Sequence, residues 1–227
     1  MRLSRRVCVA LALGASMAVA ATGCGNGGDD TGGPSEPTGG PAPSATTPAA
    51  PERLGGADTG FSIELPDGWV RLDLTADDLV ADALAAGLPD ELAETFPQIA
   101  GQIADLGGFF AVDVPSTNRL GGRFAVNVNG YCVPGMLADD VASMEGFTRQ
   151  QLEGVGATDV ATSLTTIGTT DAVRVTYLLS TGPRPVQGVQ FAFFGAGEQS
   201  CFLTFSTTPE DEDLARFDAI ADTVQLS

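Results

Sequence analysis

Val160-Ala-Thr-Ser-Leu-Thr-Thr-Ile167, Ala172-Val-Arg-Val-Thr-Tyr-Leu-Leu179, Val186-Gln-Gly-Val-Gln-Phe-Ala-Phe-Phe194 and Ser200-Cys-Phe-Leu-Thr-Phe-Ser206 stand one after another in the second half of this 227-residue chain. Each run is rich in Val, Thr, Leu or Phe and is bounded by residues that favour turns, the pattern of a strand. The links between them are short. Neighbouring strands therefore run antiparallel, because a parallel return needs a crossover of roughly a dozen residues. Phe191 and Phe193 share one face of their strand and Phe194 takes the other; Phe202 likewise opposes Phe205. Both faces of this sheet are apolar. Either helices cover both sides, or one side keeps a pocket or groove for an acyl chain or a partner.

Upstream, Phe61-Ser-Ile-Glu-Leu65 alternates as a half-buried strand, Pro66-Asp67-Gly68 turns, and Trp69 to Asp73 returns. Trp69 reads as a core anchor beside the turn or as a ligand-stacking ring. Thr75-Ala-Asp-Asp78 looks like a helix start with Thr75 as N-cap, an apolar face at Leu79, Val80, Ala83 and Leu84, and a stop at Gly87. A second helix opens at Pro89, with Leu92, Phe96, Ile99, Ile103 and Leu106 on one side. Pro97 falls inside it and predicts a kink or a split. Phe109 to Val114 and Arg123 to Asn129 read as strands, and Asp139 to Glu153 as a helix. After the four-strand run, Thr208-Pro209-Glu-Asp-Glu opens a last helix that buries Leu214, Phe217, Ile220 and Ala221, and Val224 to Leu226 forms a short final strand. The fold class is α+β: a central antiparallel sheet with helices packed on it.

The other end of the chain is an address. Arg2, Arg5 and Arg6 precede an uncharged run from Val7 to Ala21, which is shorter than the ~20 residues a spanning helix needs. Ala21-Thr22-Gly23-Cys24 closes it. That ending resembles the lipobox of bacterial lipoproteins, although Ala21 stands where Leu is frequent. The resemblance implies cleavage between Gly23 and Cys24, with a diacylglycerol on the Cys24 thiol. The other reading is a cleaved, freely secreted chain. Ser4-Arg5-Arg6 leaves open whether export is by the general or the twin-arginine route. Residues 1–23 are thus a lipoprotein signal peptide, and 24–53 the lipidated cysteine and its tether. From Gly25 to Pro51, 7 of 27 residues are Gly and 6 are Pro, with no large apolar side chain before Leu54. Such a segment has nothing to bury and spans roughly 30 Å as a flexible coil. Ser35, Thr38, Ser44, Thr46 and Thr47 sit in a composition that accepts O-linked sugars, and an unmodified spacer is the alternative. Residues 54–227 form one domain.

Charge and missing residue types exclude whole classes of function. There is no His and no Lys; the 11 basic residues are all Arg, against 29 acids. Removal of Arg2, Arg5 and Arg6 leaves eight against 29, a mature charge of −21. Nucleic acid repels such a chain. A Ser-His-Asp triad, a Ser-Lys dyad and a Schiff base have no residues to form them. Zinc and copper lack their commonest ligand, and no Walker loop follows a strand. No cofactor is indicated. The acids Asp77-Asp78, Asp139-Asp140 and Glu210 to Asp213 leave a paired-carboxylate glycoside hydrolase as the surviving catalytic reading. All three groups also fall at helix starts, where acids stabilise the dipole. Calcium binding by them is the further possibility, although none matches the loop spacing Asp-x-Asp-x-Asp-Gly. Beyond Cys24 two mature cysteines remain, Cys132 and Cys201, and outside the cytoplasm two thiols pair unless each is buried separately.

Phe61-Ser-Ile-Glu-Leu-Pro-Asp-Gly-Trp69 resembles the opening of PsbP/Mog-like domains, where a strand runs into Pro-x-Gly-Trp. Phe110-Ala-Val-Asp113 and Phe124-Ala-Val-Asn-Val128 suit that family's middle strands. Phe202-Leu-Thr-Phe-Ser206, with the acidic helix after it, suits its end. Together with the lipobox, the chain is similar to the LpqN-type lipoproteins of actinobacteria. The resemblance implies an α/β/α sandwich among binding and assembly proteins, and it transfers no catalytic residue. The expectation is a non-enzymatic lipoprotein, held by Cys24 on the outer face of the cytoplasmic membrane. It binds a cell-envelope protein partner or a lipid-like ligand. A lipid carrier with an internal apolar cavity and a carboxylate-dependent glycoside hydrolase are the alternatives.

Overall fold

A computed structural model describes residues 53–227 apart from 87, 89, 121–123, 181–184 and 212. Cys24, Gly23 and the tether lie outside the described residues. Seven strands form the main sheet: β3 (Trp69–Leu72), β4 (Phe109–Asp113), β5 (Val126–Pro134), β9 (Gln199–Thr207), β8 (Val186–Gly195), β7 (Thr170–Leu179) and β6 (Ala157–Ile167), in that spatial order. Every neighbouring pair is antiparallel. A second sheet of three strands has the order β1 (Arg53–Gly56), β2 (Phe61–Glu64), β10 (Gln225–Leu226). Among the described residues no helix is long and apolar enough to cross a membrane.

The α+β class read from the strand pattern is the observed one. The main sheet is covered on both faces. Phe61, Ile63, Phe109, Val128, Phe191, Phe193, Leu203, Phe205, Phe217 and Ile220 form one core, between the main sheet and a layer made of the small sheet and α5 (Ala215–Ala221). On the opposite face, α1 (Leu79–Ala85) and α2 (Asp90–Asp105) pack over Leu72, Phe110 and Val112. There α4 (Val141–Gly154) brings Met144 and Leu152 against Tyr131, Val173, Val175, Tyr177 and Phe202. The split of Phe202 from Phe205 is the period-2 alternation at work. One outer layer is therefore helical, and the other is mostly strand.

Several local expectations are corrected. Thr75 does not cap α1; Asp73 captures the Thr75 backbone N–H and hydroxyl at 2.9 and 2.7 Å, and Asp78 caps the helix by accepting from Ala81 N at 3.0 Å. Gly87 and Pro89, expected to punctuate the helices, lie outside the described residues, as does the side chain of Leu92. Pro97 does not split α2, which runs unbroken through it. Phe96, Ile99, Ala100 and Ile103 are buried against the sheet on both sides of Pro97. Their burial offsets the ~3 kcal/mol an interior proline costs. A six-residue helix, α3 (Val114–Arg119), starts where a strand was expected to end, with Pro115 in its first turn. The last helix begins at Ala215, not at Thr208. Asp211 accepts from Thr207 Oγ1 and pairs with Arg216, which holds the preceding segment as a loop.

Arg53 belongs to the fold, not to the tether. Its guanidinium reaches Glu64 Oε1 at 2.5 Å, Ser62 Oγ at 3.1 Å and the Thr223 carbonyl at 2.9 Å. The strand expected over Arg123 to Asn129 starts at Val126 and continues to Pro134, with Arg123 outside the described residues. Gly130 looks like a break but permits the continuation: a Cβ there would lie 2.4 Å from Phe109 Cζ and 2.8 Å from Phe61 Cζ. Only glycine lets those two rings close over β5. Trp69 is half-buried against the apolar core, as an anchor.

Candidate functional site

Cys132 and Cys201 are direct register partners on β5 and β9, and they form a disulfide across a sequence separation of 69. The bridge lies inside the core, with Cys201 fully buried. Room for it comes from glycine: a Cβ on Gly195 would stand 2.6 Å from Cys201 Sγ. The pairing expected from two leftover cysteines is the observed one.

The three acidic groups belong to three separate parts of the fold, the start of α1, the start of α4 and the loop before α5. Asp140 caps α4 by accepting from Ser143 N at 2.6 Å, and Asp78 caps α1. Asp211 is neutralised by Arg216, whose guanidinium also lies 4.7 Å from the centroid of the Phe217 ring. Backbone and side-chain hydrogen bonds from Ser143 hold the Asp140 carboxyl below its ordinary range; those from Thr75 do the same for Asp73. Asp73, Asp78, Asp140 and Asp211 are thus engaged within the fold. No group of three or more potential metal ligands occurs among the described residues.

The phenylalanine cluster is core. Phe61 meets Phe109 and Phe193 edge-on at centroid distances of 5.5 and 5.1 Å, and Phe205 stacks on Phe217 at 4.8 Å. These rings pack on one another between the layers. Beside them lies something the sequence did not announce. Asn127, Asn129, Gln190 and Thr204 form a buried polar band at the centre of the helix-covered face, on β5, β8 and β9. Gln190 Nε2 donates to Thr204 Oγ1 at 3.2 Å and Asn127 Nδ2 to the Ala125 carbonyl at 3.1 Å. The Asn129 amide nitrogen and the Thr148 hydroxyl have no protein partner.

The chain's two tyrosines flank this band. Burial pushes both phenols well above their ordinary value of 10.0, and the two also repel each other's charge at Tyr131. A folded-state value above the unfolded one means that stability is retained below about pH 10 and falls as the pH rises further. In an alkaline titration, tyrosinate absorbance is expected to appear only together with loss of tertiary structure. Ionisation of either tyrosine in a still-folded chain would contradict the closed packing over Tyr131 and Tyr177.

Open concave surface lies elsewhere. A cleft of about 390 Å³ runs between residues 55–59, 71–75 and 104–109. Its walls are largely backbone, from Gly55, Gly56, Gly107 and Gly108, with Leu72 and Phe109 also lining it. Thr59 Oγ1 donates to the Gly107 carbonyl at 2.8 Å and ties one wall to the other. Asp58, Arg71, Asp73 and Thr75 stand exposed at its mouth. Hydrogen bonds from Thr75 hold the Asp73 carboxyl below its ordinary range, and one arginine and two aspartates face an incoming group. This chemistry suits hydrogen bonding to a polar ligand or peptide backbone; it supplies no nucleophile–base pair. A second cleft of about 340 Å³, lined by Ser116, Arg119, Leu120, Val126, Glu210, Asp211, Asp213 and Arg216, is occupied by its own ion pairs, with Arg119 on Asp113 and Arg216 on Asp211.

No family model and no curated protein matches the chain. Among solved structures it is similar to LpqN of Mycobacterium tuberculosis, described as involved in cell envelope biogenesis. That likeness has 12% identity and a TM-score of 0.44, and covers 78% of this chain and 91% of that one. It is similar to the same degree, 12% and 0.44, to a protein of Bacteroides thetaiotaomicron, covering 78% of this chain; this chain spans about half of that protein's length, 48%. Similarity at this level does not carry function from one chain to another.

Proposed function

We propose that the chain is an exported lipoprotein, cut between Gly23 and Cys24 and held by lipid on Cys24 at the outer face of the cytoplasmic membrane. Its domain is a non-enzymatic binding module for a cell-envelope protein or a lipid-like ligand. The reading rests on one arrangement. A lipobox-like Ala21-Thr22-Gly23-Cys24 is followed by a Gly/Pro-rich segment that ends where β1 begins. The far end of β1, Gly55–Gly56, lines the open cleft. The candidate binding surface therefore stands one four-residue strand from the tether. Absence of His and Lys from the sequence, and the capping roles of Asp78 and Asp140, favour binding over catalysis.

The test is native mass spectrometry of the chain from Gly25 onward, exported behind an ordinary secretory signal in a related host. A non-covalent adduct that is lost when Arg71→Ala and Asp73→Ala are introduced supports ligand binding at the cleft. Hydrolysis of envelope glycans or esters by the purified chain would sink the proposal.

A further inference from the structure

The main sheet has two edges, and they differ. At one edge β3 is four residues long and carries Arg71. At the other edge β6 is eleven residues long. Proteins blunt exposed edges with short strands, charges, proline or bulges. In β6 the protection covers only its first part. The register slips between Thr158 and Ala161, with Asp159 at φ 52°. Arg149 of α4 donates to the Val160 carbonyl at 2.9 Å and to the Thr162 hydroxyl, which in turn donates to Glu145. From Ala161 to Ile167 there is no charge and no proline.

Gly168-Thr169 closes the β6–β7 hairpin as a two-residue turn with Gly at its first position, as a type II′ turn requires. Ile167 and Thr170 are then a mutually hydrogen-bonded pair. By alternation Thr165 and Ser163 also direct their backbone groups to β7. Thr162, Leu164 and Thr166 direct theirs outward. Their order, Thr-x-Leu-x-Thr, is symmetric about Leu164. At 59% exposure Leu164 is also the most exposed large apolar side chain among the described residues.

We infer that this edge pairs with the same edge of a second copy of the chain, about a two-fold axis at Leu164. Leu164 then lies opposite Leu164 of the other copy, and each Thr162 opposite Thr166. The axis gives six backbone hydrogen bonds, one leucine pair and two threonine pairs, and joins the main sheets into one. A second copy fits better than an unrelated partner because the edge is its own complement. With eight Arg against 29 acids after Cys24, two copies repel each other wherever charge is exposed, and this strip carries none. Residues opposed in an antiparallel pair point to the same side, so both copies keep the β1–β2–β10 layer on one side of the joined sheet. Both tethers then leave toward one membrane. That last consistency rests on the proposed anchoring; the interface does not.

Analytical ultracentrifugation of the chain from Gly25 onward tests it. A monomer–dimer equilibrium is expected, tighter at higher salt because the repulsion is screened. Leu164→Arg places two cations together at the axis and is expected to weaken the dimer at least about tenfold, with circular dichroism and melting unchanged. Leu164→Cys is expected to give an interchain disulfide faster than Leu84→Cys on the exposed side of α1. A monomer at every concentration and salt level overturns the inference. So does a dimer insensitive to Leu164→Arg, or a cross-linking rate no faster than the control. None of these readouts depends on lipid or on the cleft.

Discussion

Replacing Cys24 with alanine is expected to move essentially all of the protein from the membrane fraction to the soluble or medium fraction. The reason is that, in the proposed lipoprotein, one thiol carries the whole attachment. Val7 to Ala21 is too short to span a bilayer. The mature chain is too acidic to adhere to anionic headgroups. Among the described residues no helix offers a second membrane segment. Each acyl chain on the cysteine contributes about 0.8 kcal/mol per buried CH₂, and a diacylglycerol supplies two such chains, enough for stable anchoring. The measurement is fractionation with metabolic labelling by a radioactive fatty acid. Loss of label and of membrane retention together is the expected result. Unchanged retention of the alanine variant would refute anchoring through Cys24.

Cys132→Ser is expected to cost about 4 kcal/mol, the chain-entropy value for a loop of this length. For a domain of this size that is a fall in Tm of roughly 10 °C. The two cysteines stand directly opposite each other on two adjacent interior strands, so the bridge requires no rearrangement of the sheet. Removing it loosens the unfolded chain far more than it disturbs the folded one. Wild-type protein melted in reductant should match the variant. Two free thiols titrating in unfolded, unreduced wild type, with no change in Tm on substitution, would rule the bridge out.

The four-strand run was legible because a covered antiparallel sheet imposes alternation that survives in the residues themselves, Phe191 and Phe193 against Phe194, and Phe205 against Phe202. The bridge was legible because only two cysteines were left to pair. Features created by contacts distant in sequence were not legible. Arg-Leu-Gly-Gly has no strand propensity; β1 exists because Arg53 finds Ser62, Glu64 and Thr223. Gly130 reads as a breaker until the Phe109 and Phe61 rings are placed beside it. Asn127 and Asn129 alternate like an exposed polar face, yet the sheet puts them inside. The cleft has walls of backbone from three separate segments. The glycine pairs 55–56 and 107–108 were its only trace, and glycine pairs are more often simply turns.

Arg53 stands where the tether meets the folded domain, and this has a mechanical consequence. If the chain is anchored through Cys24 as proposed, any pull between the membrane and a bound partner would enter the domain at that residue. Because β1 lies antiparallel to β2 with Arg53 at its free end, the pull would tend to peel β1 away one residue at a time, beginning with the Arg53–Glu64 pair. The guanidinium meets that force by fastening three segments at once: its own strand, its neighbour, and the chain just after α5. Under the proposed anchoring it would act as a rivet at the point where the domain is hauled.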